Sequence, residues 1–170
     1  MSFVLYYEKI ESGCYKMDWL LDLVTNPFLV TSISSWLLAQ IIKFVINIIV
    51  NKEFKLRWLF SDGGMPSGHS ATASSLAFFS LLTYGPGSFQ FGVTMILAMI
   101  VTHDATGVRQ EAGKHAVVLN EILETFELLK KKMDPEMKLK EYLGHTFIQV
   151  VAGITVGFLN ALFMYFVVFN

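Results

Sequence analysis

The chain has 170 residues, enough for one domain, and 54% of them are apolar while only 16% are charged, which excludes an ordinary soluble domain of this size. The charges are also segregated: positions 26–50, 67–102 and 144–170 hold one charged side chain, Lys43, against 26 in the rest of the chain. A formal net charge of −1 excludes a generally basic nucleic-acid binder, and a single cysteine, Cys14, excludes an internal disulfide framework.

Long apolar tracts between charged segments predict an all-α integral membrane protein. Residues 1–25 carry Glu8, Glu11, Asp18 and Asp22 and have no continuous apolar core, so they are expected to form an interfacial lead-in rather than a cleavable signal peptide. The first span is expected over 26–50, with Pro27 at a tolerated first-turn position behind Asn26. Positions 67–102 lack Asp, Glu, Lys and Arg, but Gly85-Pro86-Gly87 interrupts them. Two short spans, 67–84 and 88–105, are predicted on either side of that turn. A fourth is expected over 144–169, completing a single membrane domain of about four transmembrane helices.

The segment 106–143 is expected to be a helical loop. Leu119, Ile122, Leu123, Phe126, Leu129 and Met133 form an apolar stripe opposite Glu121, Glu124 and Glu127, predicting a helix over 113–133. Asp134 and Pro135 read as the start of a second short helix ending before Gly144. With four spans, 51–66 and 106–143 emerge on one side and carry ten of the thirteen Lys and Arg residues. The positive-inside rule places these loops in the cytoplasm and both termini outside, with a bacterial plasma membrane as the expected setting.

The segment Gly63-Gly64-Met65-Pro66-Ser67-Gly68-His69-Ser70 runs from a glycine-rich turn into an apolar helix. Free backbone N–H groups and two hydroxyls converge there on the positive end of the helix dipole, which makes an anion site. His69, in the first turn, is placed to protonate an oxygen leaving a bound phosphoryl group. The plainer reading is that Ser67 caps a membrane helix and His69 lies at the interface. Lys43 is a charge deep in a span, expensive unless it faces a polar cavity or partner, or snorkels to the interface. His103-Asp104 is a weak metal motif because no third ligand falls at a suitable spacing; Asp104 more naturally orients a histidine or binds Arg109, with a plain interfacial salt bridge an equal alternative. His115 and Asn120 lie on the loop helix, where a solvated role is the expectation.

Pro66-Ser67-Gly68-His69 resembles the second signature of the type 2 phosphatidic acid phosphatase superfamily. Ala39-Gln40-Ile41-Ile42-Lys43, Gly63 to Ala71, Asp104-Ala105-Thr106-Gly107-Val108-Arg109, Ala112-Gly113, Val118-Leu119-Asn120 and Leu143-Gly144-His145-Thr146 together resemble its divergent branch, the acid phosphatase/vanadium-dependent haloperoxidase-related family. The superfamily's third signature holds an Arg, a nucleophilic His six residues on, and an acid four residues beyond that orients the imidazole. Arg109 and His115 reproduce the first spacing, but position 119 is Leu, which cannot accept a hydrogen bond. His145, followed by Gln149 and then Val150-Val151-Ala152-Gly153, is similar to the second half, so His145 is the preferred nucleophile. The superfamily's Lys and Arg-Pro pair is represented by Lys43, with Arg57 followed by Trp58 rather than Pro.

What the resemblance implies is a phosphatase acting on a membrane lipid phosphate or diphosphate through a phosphohistidine, with no metal, no cofactor and no nucleic-acid partner. His145, His69 and Gln149 would carry catalysis, and Lys43, Ser67, Gly68, Ser70 and Arg109 would bind phosphate, with Asp104, His115 and Asn120 as candidates for supporting contacts. Self-association into a homo-oligomer is compatible with the sequence. Gln149 contributes no negative charge to an imidazolium, which keeps open a noncatalytic alternative: a lipid head-group-binding or membrane assembly protein with a degenerate site.

Overall fold

The computed structural model describes residues 19–52, 54–55, 63–128 and 145–169. Every element among them is helical: α1 Trp19–Val24, α2 Pro27–Asn51, α3 Gly68–Tyr84, α4 Phe89–Thr106, α5 Val108–Leu128 and α6 Phe147–Phe163, the last continued by a π-helical turn, Met164–Val168. The remainder of the expected lead-in, residues 1–18, and the expected helix after Asp134 lie outside the described residues.

The helix starts follow capping chemistry. Asn26 Oδ1 accepts from the amides of Phe28 at 2.9 Å and Leu29 at 3.2 Å, and Pro27 occupies the first helical position, where its missing N–H costs nothing. Ser88 Oγ does the same for α4, accepting from Phe91 at 3.2 Å. Gly85-Pro86-Gly87 separates α3 from α4 as a tight turn. The boundary between α4 and α5 differs from expectation, because α5 begins at Val108 rather than near 113. Gly107 donates to His103 O at 2.9 Å and accepts from Glu111 at 3.1 Å, so one residue breaks the helix and it resumes at once. The exposed Lys114 ammonium pairs with Glu111 at 2.7 Å in that first stretch.

Among the described residues, three helical runs are long and apolar enough to cross a membrane: Pro27–Asn51, Phe89–Leu123 and Phe147–Val168. The remaining expected span, α3, has 17 residues, about 25 Å of helix. It lies at the centre of the bundle, packed against α2, α4 and α6.

The bundle is apolar outside and polar inside. On α2, Ile33, Leu37 and Ile41 are exposed, while Thr31, Ser32, Ser35, Ala39, Gln40 and Lys43 are buried; on α3 the buried set includes Ser70, Ser74, Ser75 and Ser80. In water this arrangement would be unstable, whereas in hydrocarbon the exposed aliphatic surface costs nothing and helices associate through small and hydrogen-bonding residues. Gly153 and Gly157, one turn apart on α6, supply the closest approach. A Cβ at Gly153 would lie 2.5 Å from Ser67 O and 2.9 Å from Ser70 Cβ, and one at Gly157 would run into Ser74 Oγ and Ala71 O. Aromatic rings close the end away from the charged loops: Phe28 meets Phe79 edge-on at 5.1 Å and stacks on Tyr84 at 5.4 Å.

Asn160 ties α6 to α2 inside the bundle. Its Nδ2 lies 3.2 Å from Thr31 O, 2.9 Å from Ser34 Oγ and 2.8 Å from Ser35 Oγ. Asn160→Leu is expected to lower stability by about 1 kcal/mol, the scale of interhelical hydrogen bonds in membranes. A denaturing-detergent titration of the reconstituted protein checks this, and an unchanged midpoint would refute it.

Candidate functional site

The site forms where the N-termini of α3 and α6 meet the C-terminal half of α2 and the end of α4. Gly64 has φ of +97°, a left-handed conformation that favours glycine. It lets the chain pass beside α2, and a Cβ there would lie 3.5 Å from Lys43 Cγ and 3.6 Å from Lys43 Cδ. Lys43 is only 2% exposed, so its stem runs under the glycine turn rather than outward through lipid. Gly68 packs on Trp36, whose Cδ1 would be 3.3 Å from an added Cβ.

Ser67 caps α3 and is fully buried. Its Oγ accepts from the Ser70 amide at 3.3 Å and the Ser70 hydroxyl at 3.0 Å, which leaves the Ser67 hydroxyl proton to be donated elsewhere. The Ser67 amide donates to Gln149 O at 3.0 Å. Of the four amides that a helix start leaves without intrahelical acceptors, those of Ser67 and Ser70 are thus taken, and Gly68 and His69 carry the other two. His69 is exposed.

The start of α6 is built around one oxygen. Gln149 Oε1 accepts from the Thr146 amide at 3.0 Å, the reciprocal half of a capping box. It also lies 3.2 Å from His145 Nδ1. A backbone N–H can only donate, so the amide oxygen, not its nitrogen, faces both groups. Nδ1 of His145 therefore carries a ring proton, and it is Nε2 that holds the lone pair in the neutral form of the ring. His145 is buried, and its amide donates to Ala105 O at 3.1 Å, fastening it to the end of α4.

Ser67, Gly68, Ser70, His145 and Gln149 thus belong to one cluster, with Lys43 alongside it at the Gly64 turn and half-buried Asp104 beside the Ala105 anchor. Arg109 lies in the first turn of α5; its side chain is outside the described structure. His115 is exposed on α5, whereas Asn120 is 8% exposed, contrary to the solvated role expected for it. Among the α5 residues whose burial is described, Gly113, Ala116 and Asn120 are buried and follow helical spacing, so this part of its inward face uses small and polar residues that an apolar stripe does not reveal. Among the described residues no three His, Cys, Asp or Glu side chains are grouped to hold a metal ion.

Sequence reading had placed Gln149 as a partner of His145 but missed its capping role, although Thr146-Phe147-Ile148-Gln149 spells the capping-box pattern. It also passed over Trp36, for which a single aromatic residue in an apolar span offers no signal.

Comparison with known proteins places this geometry in a family. The chain matches the model of the divergent PAP2 family over residues 24–160, which takes in the whole cluster. It is similar to the uncharacterized membrane protein YuiD of Bacillus subtilis, 36% identical over 151 residues that cover 84% of this chain and 96% of that protein. No solved structure matches. The chain is therefore an integral membrane protein belonging to the divergent PAP2 family.

Proposed function

We propose that this protein is a membrane phosphatase that removes phosphate from a lipid phosphate or diphosphate through a phosphohistidine intermediate. The observation that carries the reading is a buried histidine whose Nδ1 proton is held by Gln149 Oε1, bonded through the Gln149 carbonyl to the helix start that begins at Ser67. A histidine so held presents a nucleophilic Nε2.

In this scheme Lys43 and Arg109 balance the charge on the phosphoryl oxygens, while the Gly68 amide and the Ser67 hydroxyl donate to them at the positive end of α3, and the Ser70 hydroxyl, donating to Ser67 Oγ, turns the Ser67 proton toward them. His145 Nε2 bonds to phosphorus as the bond to the leaving oxygen breaks, and His69 gives that oxygen its proton. A water then attacks the phosphohistidine, releasing inorganic phosphate and restoring neutral His145, and its proton returns to His69. In-line attack and departure need groups on both sides of the phosphorus, the division of labour assigned to His145 and His69. The scheme uses no metal or cofactor.

Phosphate release by the purified protein from phosphatidate, phosphatidylglycerophosphate and polyprenyl diphosphate tests the proposal. Turnover of at least one supports it. Binding without turnover across the panel supports instead a noncatalytic protein holding lipid head groups, a reading favoured by the capping role of Gln149, which accounts for that residue without chemistry.

The proposed setting is a bacterial plasma membrane crossed four times, with 51–66 and 106–143 cytoplasmic, supported by the ten of thirteen basic residues in those segments. In a Cys14→Ser background, a cysteine introduced by Lys131→Cys is expected to resist an impermeant maleimide in intact cells and to react after permeabilisation. Rapid labelling of intact cells would reverse the orientation.

A further inference from the structure

We infer that Gln40 reads the protonation state of the bound phosphoryl group, accepting a hydrogen bond from a P–OH and so selecting a phosphomonoester or terminal phosphate over a phosphodiester. The inference rests on the reading of the α3 start as a phosphate site and adds to it the class of phosphate taken. Gln40 is 7% exposed, and its Oε1 is buried without a hydrogen-bond partner. A buried amide oxygen without a donor costs about 1–3 kcal/mol, so its retention inside an apolar span calls for an occupant that donates.

Its place on α2 indicates where that donor arrives. Trp36 meets Gly68 and Lys43 runs beside Gly64. Gln40 is four residues after the first and three before the second, hence on the same helical face. The part of the loop between those contacts is Met65-Pro66-Ser67. Pro66 has no N–H, and the Ser67 amide is committed to Gln149 O. The α3 start and Lys43 supply donors and positive charge to an anion; Gln40 Oε1 supplies an acceptor on the α2 side. A fully esterified or fully ionised phosphate offers nothing to such an acceptor, whereas the monoanion of a monoester offers one proton.

Calorimetric titration of the full-length protein in lipid nanodiscs with methyl phosphate and with dimethyl phosphate tests this. At about pH 5 both ligands carry one negative charge, because the second ionisation of a phosphomonoester falls near pH 6, but only methyl phosphate keeps a P–OH. The wild-type protein is expected to bind methyl phosphate roughly tenfold more tightly than dimethyl phosphate. Gln40→Leu and Gln40→Met, which remove the acceptor at similar volume, should bring the ratio close to one by weakening methyl phosphate alone. A wild-type ratio near one overturns the inference without any variant, and an unchanged ratio in either folded variant overturns it while leaving the phosphate site standing. If the wild-type protein binds neither ligand, the inference fails together with the phosphate-site reading. Binding with the expected ratio but no phosphate release from any lipid upholds the role of Gln40 and sinks only the phosphatase.

Discussion

Replacing His145 with Ala is expected to reduce phosphate release by at least about a thousandfold, because the substitution removes the atom that bonds to phosphorus rather than one that assists it. Binding of the lipid should survive, since Lys43, Ser67 and the α3 amides are untouched. His115→Ala, on an exposed position of α5, should leave turnover within about twofold, as surface substitutions do. Equal losses in the two variants, or loss only in His115→Ala, would refute the assignment of the nucleophile.

Gln149→Glu sharpens the same test in the opposite direction. Glutamate serves a capping box as well as glutamine does, and its charge sits at a helix N-terminus, where an anion is favoured. The 3.0 Å bond from Thr146 and the 3.2 Å contact with His145 can both be kept, so the fold gives no reason for loss. The added charge stabilises the imidazolium and the developing positive charge on His145 during attack, and kcat is expected to rise by about tenfold. Gln149→Leu should lose both the cap and the ring alignment. A folded Gln149→Glu protein with diminished turnover would mean that the site works through a different set of residues.

How much of this was legible depended on whether a feature is local. Asn26-Pro27, Gly85-Pro86-Gly87 and Ser88 act within a few residues of themselves, so the helix ends they set could be read directly. Lys43 was legible for another reason: a charge within an apolar span must be compensated, wherever its partner lies in the chain. The join between α4 and α5 was not, since Arg109 and Glu111 mark the end of an apolar tract without ending the helix, and only Gly107 breaks it. The inward faces were hidden too. Hydropathy identifies a span, but whether Thr31 or Ile33 turns inward is decided by which neighbour arrives, and in lipid the polar side is the one that packs. Gln40 shows the limit of spacing alone, because it stood one turn from Lys43 in an identified segment, yet its role depends on the orphaned state of one oxygen.

Gly157→Leu is expected to be the most disruptive single substitution in the membrane domain, destabilising it by about 3 kcal/mol or more. Even the first added carbon would run into Ala71 O and Ser74 Oγ, and at Gly153 it would meet Ser67 O at 2.5 Å. The backbone of α3 cannot yield without giving up its own hydrogen bonds, so α6 must move away as a body. Gly153→Ala and Gly157→Ala should therefore cost about 1–3 kcal/mol each, although alanine is the better helix former by nearly 1 kcal/mol. Gly92→Ala provides the comparison: nothing lies within 4 Å of a Cβ there, and the helix gain should appear unopposed as neutral or improved stability. The consequence at the site is more specific than instability. Gly153 lies one turn beyond Gln149, whose carbonyl holds the Ser67 amide at 3.0 Å, so displacing α6 there pulls His145 away from the α3 start. At a temperature where Gly153→Ala is still fully folded, phosphate release should fall by about a hundredfold, the scale of a misplacement near 1 Å, while Gly92→Ala keeps wild-type turnover. Unaltered turnover and stability in Gly153→Ala would show that α6 and α3 do not meet at this glycine.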